Sequence, residues 1–307
     1  MLKNNGRAGF LVFAELVFMI AVLCAGGCAR KEDGGGTEDK PLVQDTSPES
    51  YGVFLGVDAD SFQISSFSSY DMVVVDAQEL KSEQLAQLHS TGHIVYSYLN
   101  IGSIEDSREY YDRYRDLCLD RYENWPEEDW VDVTDDRWKT FVTQDLPAMI
   151  RKKDPSLDGL FLDNLDIYGH IMDSRKYEEK GEETYDALVE ILEAYQEEGI
   201  PVVINGADEF VLRLIRDGRT DLLQGVNQET VFTRIKSYKR DKFDTQDEEE
   251  TGRLKDYLKE CSQAGKMVFL LEYTDDEAVA EEIAAFCEKN GYRYYVSEHV
   301  DLRGFRE

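Results

Sequence analysis

Eight short apolar runs recur along the chain, and each ends on an acid or an amide. They occupy residues 53–58, 72–76, 94–100, 160–163, 202–205, 222–229, 267–272 and 292–298. Each has the length of a β-strand and is followed by residues with helical spacing. Continuous apolar sequence, rather than alternation, is typical of strands buried on both faces. The pattern predicts an α/β fold in which eight β/α units close into a single-domain (β/α)8 TIM barrel.

A second signal marks where each unit begins. Helical spacing with one apolar face covers residues 80–88, 185–197, 254–263 and 278–289. Four glycines follow helical segments and precede the next apolar run: Gly92, Gly199, Gly265 and Gly291. Glycine accepts the left-handed conformation that commonly ends a helix, so these positions predict helix ends.

Residues 1–27 are predicted to be a lipoprotein signal peptide. Lys3 and Arg7 precede an apolar stretch at 10–23, and small residues at 25–27 lead to Cys28. This arrangement predicts that Cys28 carries a lipid and anchors the protein to a bacterial cell surface or periplasm-facing membrane. An ordinary membrane anchor and a cleaved secretory signal are the alternatives.

Residues 28–50 are predicted to form a flexible tether, because small, polar and charged residues dominate there without periodicity. The folded domain is expected to span residues 51–307 as a monomer. Its cysteines, Cys118, Cys261 and Cys287, are expected to be buried thiols. Cys261 and Cys287 lie on successive predicted helices, so a disulfide between them is the alternative.

The net charge of −30 argues against nucleic acid as a partner, because a polyphosphate would be repelled. A neutral or cationic partner fits this charge better. The sequence contains no CxxC motif, and the four histidines at positions 89, 93, 170 and 299 are too scattered to predict a zinc site. We therefore expect neither a metal nor another cofactor.

The predicted strand ends carry the candidate chemistry, because active sites of (β/α)8 barrels lie at the carboxyl ends of the strands. The fourth run ends at Asp163 and the sixth at Glu229. Hydrolysis of a glycosidic bond needs two carboxyl groups that face the sugar. Asp163 is therefore predicted to be the nucleophile or base, and Glu229 the acid. A salt-bridged barrel residue is the alternative for Asp163, and a substrate-binding or helix-capping acid the alternative for Glu229.

Further residues at or near the strand ends are predicted to bind substrate, and Glu272 and Glu298 are also fallback acids. The predicted binding residues are Asp58, Asp76, Tyr98, Asn100, Trp125, Asp166, Asn205, Glu272, Tyr273 and Glu298. Trp125 lies in a long aromatic insertion at 103–136, whose rings could stack on sugars. The basic run 234–242 is predicted to be a solvated helix or loop.

Several motifs together resemble one family, the glycoside hydrolase group of endo-α-1,4-polygalactosaminidases, over residues 51–303. They are Tyr51-Gly52-Val53 with Asp58, residues 98–103, Asn124-Trp125-Pro126 with residues 130–133, residues 159–166, and Asn227 to Glu229. The resemblance implies a TIM barrel with Asp163 and Glu229 as the catalytic pair. It also implies a cationic amino-sugar polysaccharide as the substrate. The alternative is a carbohydrate-binding surface lipoprotein that keeps the groove without turnover.

Overall fold

The computed structural model describes residues 47–122 and 125–304. The predicted signal peptide, Cys28, most of the predicted tether and Asn124 lie outside the described residues. Within the described ranges, no helix has the length and apolar character needed to cross a membrane.

The described residues form thirteen β-strands. They are β1 (Tyr51–Phe54), β2 (Met72–Val75), β3 (Ile94–Asn100), β4 (Ser103–Glu105), β5 (Cys118–Arg121), β6 (Glu128–Val131), β7 (Gly159–Asp163), β8 (Val202–Asn205), β9 (Gly225–Glu229), β10 (Thr233–Ser237), β11 (Lys242–Thr245), β12 (Met267–Tyr273) and β13 (Arg293–Ser297).

Eight of these strands form one parallel sheet in the order β1-β2-β3-β7-β8-β9-β12-β13. Strands β13 and β1, at the two ends of this order, lie side by side, and the rings of Phe54 and Tyr295 meet across them at 5.4 Å between centroids. The sheet therefore curls into a nearly closed barrel, and the predicted (β/α)8 architecture is confirmed. Consecutive residues Val73, Val74 and Val75 are all fully buried, as a strand covered on both faces requires.

Helices surround this sheet. They are α1 (Ser82–Ser90), α2 (Tyr111–Tyr114), α3 (Asp136–Thr140), α4 (Leu146–Lys153), α5 (Ile167–Asp173), α6 (Gly181–Glu197), α7 (Asp208–Arg216), α8 (Glu248–Gln263) and α9 (Glu277–Asn290). A π-helical turn at Phe141–Asp145 joins α3 to α4. The four helical spans expected from sequence correspond to α1, α6, α8 and α9. The unit after β1 differs, because its described residues contain a 3₁₀ turn at Ile64–Phe67 rather than a longer helix.

The predicted helix-ending glycines all have positive φ, between 67° and 94°. Gly291 shows the reason most directly, since it caps α9 in the left-handed conformation and its N–H bonds the carbonyl of Glu288. This geometry is strained for a residue with a side chain.

Two antiparallel sheets are inserted between barrel strands and their helices. Strands β4, β6 and β5 form the first, and β10 and β11 pair as a hairpin. The insertion 103–136 is therefore partly a sheet rather than a long loop. The run 234–242 begins in β10, passes through a 3₁₀ turn at Tyr238–Arg240 and ends at the start of β11, so its prediction as a helix or loop is correct only for the turn.

The three cysteines of the described domain are free thiols. Cys261 and Cys287 are buried, as predicted, whereas Cys118 is only half-buried. Burial raises the pKa of the Cys261 and Cys287 thiols to about 12, so both are protonated at neutral pH.

Candidate active site

A cavity of about 540 Å³ opens at the carboxyl ends of the barrel strands, under the two inserted sheets. Its described lining contains one cation, Arg108, and seven acids: Asp76, Glu105, Glu128, Asp163, Asp166, Glu229 and Asp301. The cavity walls are therefore strongly electronegative, and a cationic group would be drawn into them.

Asp163 and Glu229 meet in this cavity through one amide. Asn205 Nδ2 donates to Asp163 Oδ1 and to Glu229 Oε1, each over 2.8 Å. Because the two N–H bonds of an amide diverge by roughly 120°, these oxygens lie about 5 Å apart. The strand ends thus bring together the two carboxyls that the sequence predicts as catalytic.

Strand geometry explains why Asp163, Asn205 and Glu229 converge. Asp163 and Asn205 are the last residues of the neighbouring strands β7 and β8. On β9, Asn227 and Glu229 are two residues apart and share the interior face, whereas Gln228 points to the other face. Asn227 Nδ2 donates to Asn205 Oδ1 over 2.6 Å, which turns the Asn205 amide so that its N–H groups face both carboxyls.

The pKa of Glu229 is raised to about 7. Burial is the main cause, and the negative charge of Asp163 adds to it. The hydrogen bonds from Asn205 and from the Tyr273 hydroxyl, which lies 2.8 Å from Oε2, act in the opposite direction. Glu229 can therefore hold a proton near neutral pH while facing the cavity.

Burial also raises the pKa of Asp163, but three donors stabilise its ionised form. They are the Asn205 amide, the backbone N–H of Asn164 at 3.0 Å from Oδ1, and the hydroxyl of Tyr98. Donors of this kind orient the carboxylate and favour its charged state. Asp163 and Glu229 are thus suited to different roles, although both are acids.

Asn164 connects this pair to the inserted sheet. Its backbone has a φ of 60°, a conformation that asparagine tolerates better than most residues. Its side-chain Nδ2 donates to Asn100 Oδ1 over 3.1 Å and to Ser103 Oγ over 2.9 Å. Asn100, a predicted binding residue, is therefore buried beside the cavity as a partner of Asn164.

Asp76 lines the cavity as part of an ion cluster. Arg108 Nη2 lies 2.8 Å from Asp76 Oδ2 and 2.8 Å from Glu105 Oε1. Burial raises the pKa of Asp76, and the Arg108 charge opposes that rise. This cluster joins the second barrel strand to the insertion that follows the third.

Asp166 also reaches the cavity but does not cap α5 through its side chain. Its Oδ1 accepts the backbone N–H of Ala207 over 2.9 Å. Burial, together with the negative charges of Asp163 and Asp208, raises the pKa of Asp166 to about 7.

Aromatic side chains cover the cavity from two insertions. Trp125, beside the first inserted sheet, meets Tyr238 of the β10–β11 turn edge to face, with 5.1 Å between ring centroids. Both rings line the cavity, as do Tyr98, Tyr122 and Tyr273. Trp125 was predicted from sequence, whereas Tyr238 was not, because it lies in a basic run without apolar periodicity.

Besides Asn100, three predicted binding residues lie outside the described cavity lining. Asp58 follows β1 by four positions, is exposed, and accepts the N–H groups of Asp60 and Ser61. Glu272 is fully buried, with its two oxygens bonded by three backbone N–H groups at 231–233 and by Thr233 Oγ1. Glu298 lines a separate cavity of about 310 Å³.

Within the described ranges, no group of three or more His, Cys, Asp or Glu side chains is arranged to hold a metal ion. The expectation that no cofactor is used stays a prediction.

Comparison with known proteins gives a family match and several structural likenesses. The model of glycoside-hydrolase family GH114 matches residues 49–306. The glycoside hydrolase domain of PelA from Pseudomonas aeruginosa is similar with a TM-score of 0.69 at 21% identity, over 84% of this chain and 97% of that one. No curated protein matches the chain by sequence.

Two further solved structures share the fold at lower identity. Ega3 from Aspergillus fumigatus, in complex with galactosamine, has a TM-score of 0.63 at 15% identity, over 84% of this chain and 94% of that one. An α-galactosidase from Thermus thermophilus, TtGalA, has a TM-score of 0.52 at 12% identity, over 80% of this chain and 57% of that one. At these identities the likenesses show a common fold.

Proposed function

The chain belongs to glycoside-hydrolase family GH114, and from this premise we propose that it cleaves an α-linked amino-sugar polysaccharide of the polygalactosamine type. Asp163 is the nucleophile and Glu229 the general acid. The observation that carries the proposal is the Asn205 amide, which holds both carboxyls at 2.8 Å on one side of an acidic cavity.

In the first step, the Asp163 carboxylate attacks the anomeric carbon of the bound sugar. Glu229 gives its proton to the glycosidic oxygen as the bond from that oxygen to the anomeric carbon breaks. In the second step, ionised Glu229 takes a proton from water, and the water oxygen displaces Asp163 from the anomeric carbon. The cycle restores both carboxyls and adds one water across the bond.

A spacing of about 5 Å between the two carboxyls is typical of retaining glycosidases, which work through a covalent intermediate. Inverting enzymes need about 6.5 to 9.5 Å to admit a water molecule beside the sugar. We therefore propose retention of configuration. The raised pKa of Glu229, about 7, suits a group that must be protonated first and ionised later.

The cavity charge supports an amino sugar as the substrate. Seven acids and one arginine line it, and a polymer with free amines would compensate that charge. Ega3, which shares the fold, was determined with galactosamine. A non-catalytic sugar-binding protein is the alternative. It would need the groove and its aromatic rings, but it would not need two carboxyls at a catalytic spacing, one stabilised as a carboxylate and the other with a raised pKa.

The proposal is tested by product release from partially deacetylated polygalactosamine, using the full-length protein in detergent. We expect the parent to release oligosaccharides, and Asp163→Asn and Glu229→Gln each to reduce the rate at least about a hundredfold. An azide rescue of the Asp163→Gly variant, giving a glycosyl azide of inverted configuration, would identify Asp163 as the nucleophile. Binding without release by the parent would instead support the carbohydrate-binding alternative.

We also propose that a lipid on Cys28 holds the domain at a bacterial membrane surface. The support is the sequence alone, with small residues before Cys28 after an apolar stretch. Cys28→Ser should either release the protein from the membrane fraction or leave it there as a precursor whose signal peptide is not cleaved. Unchanged membrane attachment with complete signal cleavage would contradict the lipid anchor.

A further inference from the structure

Tyr51 lies at the amino end of the barrel, yet its hydroxyl reaches the residues that hold the carboxyl pair. It is the first residue of β1 and is buried. Its ring packs against Phe269 of β12, with 4.7 Å between ring centroids, and its hydroxyl donates to Asn227 Oδ1 of β9 over 3.2 Å. Neither β9 nor β12 is a neighbour of β1 in the sheet, so the side chain crosses the barrel interior. Tyr51 does not belong to the described cavity lining and takes no part in the steps above.

A chain of hydrogen bonds runs from Tyr51 through two amides to the carboxyl pair. Asn227 Nδ2 donates to Asn205 Oδ1 over 2.6 Å. Asn205 Nδ2 in turn donates to Asp163 and Glu229, over 2.8 Å each. Every bond therefore points the same way, from the hydroxyl towards the carboxyls. Tyr51 and both asparagines are buried, so a bond lost from this chain leaves a polar atom away from bulk water.

The shape of an asparagine side chain does not fix this direction, because rotation of the amide by half a turn exchanges its oxygen and its nitrogen. Ionised Asp163 can only accept, so it needs an N–H group from Asn205. The Asn205 oxygen then needs an N–H group from Asn227, which leaves the Asn227 oxygen at the far end of the chain. That oxygen needs a donor, and the Tyr51 hydroxyl supplies it.

Loss of the Tyr51 hydroxyl would remove this donor and leave the Asn227 oxygen buried against an apolar ring. The Asn227 amide would then have no partner on that side to hold its orientation. If both amides turned, the Asn205 oxygen would face the carboxyls. The hydrogen bonds from Asn205 lower the pKa of Asp163 and of Glu229, so their loss would raise both values.

We propose that Tyr51 is a positioning residue for the reaction, because its hydroxyl orients the amides of Asn227 and Asn205 so that N–H groups face both carboxyls. This inference rests on the proposed function, in that it takes Asp163 and Glu229 as the reacting pair. Residues at the amino end of a (β/α)8 barrel ordinarily serve stability. Tyr51 instead acts on the opposite end of the barrel through two buried side chains.

Tyr51→Phe removes the hydroxyl and keeps the ring. In the full-length protein, we expect kcat on polygalactosamine to fall about tenfold while KM stays within about twofold, because Tyr51 does not line the cavity. Both limbs of the pH dependence of kcat/KM should move upward by about half a unit or more. Tyr195→Phe is the matched control, since it removes a buried hydroxyl of α6 that donates to the carbonyl of Val142. It should leave both limbs in place.

Other titratable groups face the pair and are unchanged in Tyr51→Phe. They are the acids Glu105, Glu128 and Asp166 and the tyrosines at positions 98, 122, 238 and 273. A shift of both limbs in Tyr51→Phe but not in Tyr195→Phe would therefore report on the hydrogen-bond chain.

NMR of the side-chain N–H protons of Asn205 gives a readout that does not depend on hydrolysis. Full-length protein with ¹⁵N-labelled asparagine is titrated with acid and base, and the Asn205 signals are identified by their absence from Asn205→Ala. In the parent, both protons should shift as the carboxyls titrate, because each bonds one of them. In Tyr51→Phe this shift should be at least halved. If the parent releases no product but behaves in this way, the orienting role of Tyr51 stands and the proposed function is refuted.

Unchanged limbs or unchanged Asn205 signals in Tyr51→Phe would overturn the proposal, as would an equal shift in Tyr195→Phe. Asn227→Ala breaks the same chain one bond nearer to the carboxyls and leaves Tyr51 intact, so it should also raise both limbs. Adding Tyr51→Phe to Asn227→Ala should move the limbs no further. Additive shifts would show that Tyr51 acts by another route.

Discussion

Replacement of Glu229 by glutamine should stabilise the protein at alkaline pH while abolishing turnover. The folded-state pKa of Glu229 is about 7, against an ordinary value of 4.5. A carboxyl whose pKa is raised on folding lowers the stability of the fold as the pH rises from about 4.5, where the unfolded group ionises, to about 7, and the full penalty remains above pH 7. At 1.36 kcal/mol per unit, the penalty is up to about 3 kcal/mol at pH 8 and under about 1 kcal/mol at pH 5.

Glutamine is neutral at both pH values and can still accept from Asn205, so Glu229→Gln should avoid this penalty. Urea unfolding at pH 5 and pH 8 measures the difference. We expect the gain in unfolding free energy to be larger at pH 8 than at pH 5 by about 2 kcal/mol. A gain independent of pH, or a loss at pH 8, would refute the reasoning from burial and the charge of Asp163.

Glu272→Gln is the matched comparison, because the pKa of Glu272 is also raised by burial to about 7. Its two oxygens, however, accept three backbone N–H groups and the Thr233 hydroxyl. A glutamine would turn an N–H group against these donors and leave at least one of them unpaired. We expect Glu272→Gln to destabilise the protein by about 1 to 3 kcal/mol at pH 5. At pH 8 this loss should be largely offset, because glutamine avoids the ionisation penalty that Glu272 shares with Glu229.

Three further predictions concern the candidate site. The alkaline limb of the pH dependence of kcat/KM should lie near pH 7, where Glu229 loses its proton, and a limb that stays above pH 9 would contradict the acid role. Asn205→Ala should lower kcat about tenfold to a hundredfold, because both carboxyls lose a hydrogen bond, and an unchanged kcat would contradict it. Asp58→Ala should slightly lower the midpoint of urea unfolding through the lost turn contacts, with kcat/KM unchanged, and a tenfold fall in kcat/KM would place Asp58 in the binding site.

The barrel could be predicted because its strands are buried on both faces, and this requires continuous apolar sequence. The residues that end β7, β8 and β9 then follow from the position of active sites in such barrels. Asp163, Asn205 and Glu229 were found in this way. The same rule was less informative for β1, because that strand ends at Phe54 and Asp58 lies beyond it.

The direction of a side chain depends on strand register, which an apolar run does not fix. On β12, Tyr273 faces the cavity, and Glu272, one residue earlier, faces the backbone of residues 231–233. A shift of one position exchanges the two faces. Glu105, Glu128 and Tyr238 could not be found from barrel periodicity. The first two lie in short, mainly polar strands of an inserted sheet, and Tyr238 lies in the turn between β10 and β11.

The contacts of the first inserted sheet bear on how this barrel could be redesigned. Exchange of residues 103–131 for another insertion would leave the eight barrel strands and the Asn205 amide in place. The new segment would nevertheless have to supply an arginine for Asp76 and an acceptor for the Asn164 side chain, which Arg108 and Glu128 now provide. Chimaeras that keep these two contacts should retain the orientation of Asp163, the proposed nucleophile, and the rest of the segment is then free to vary.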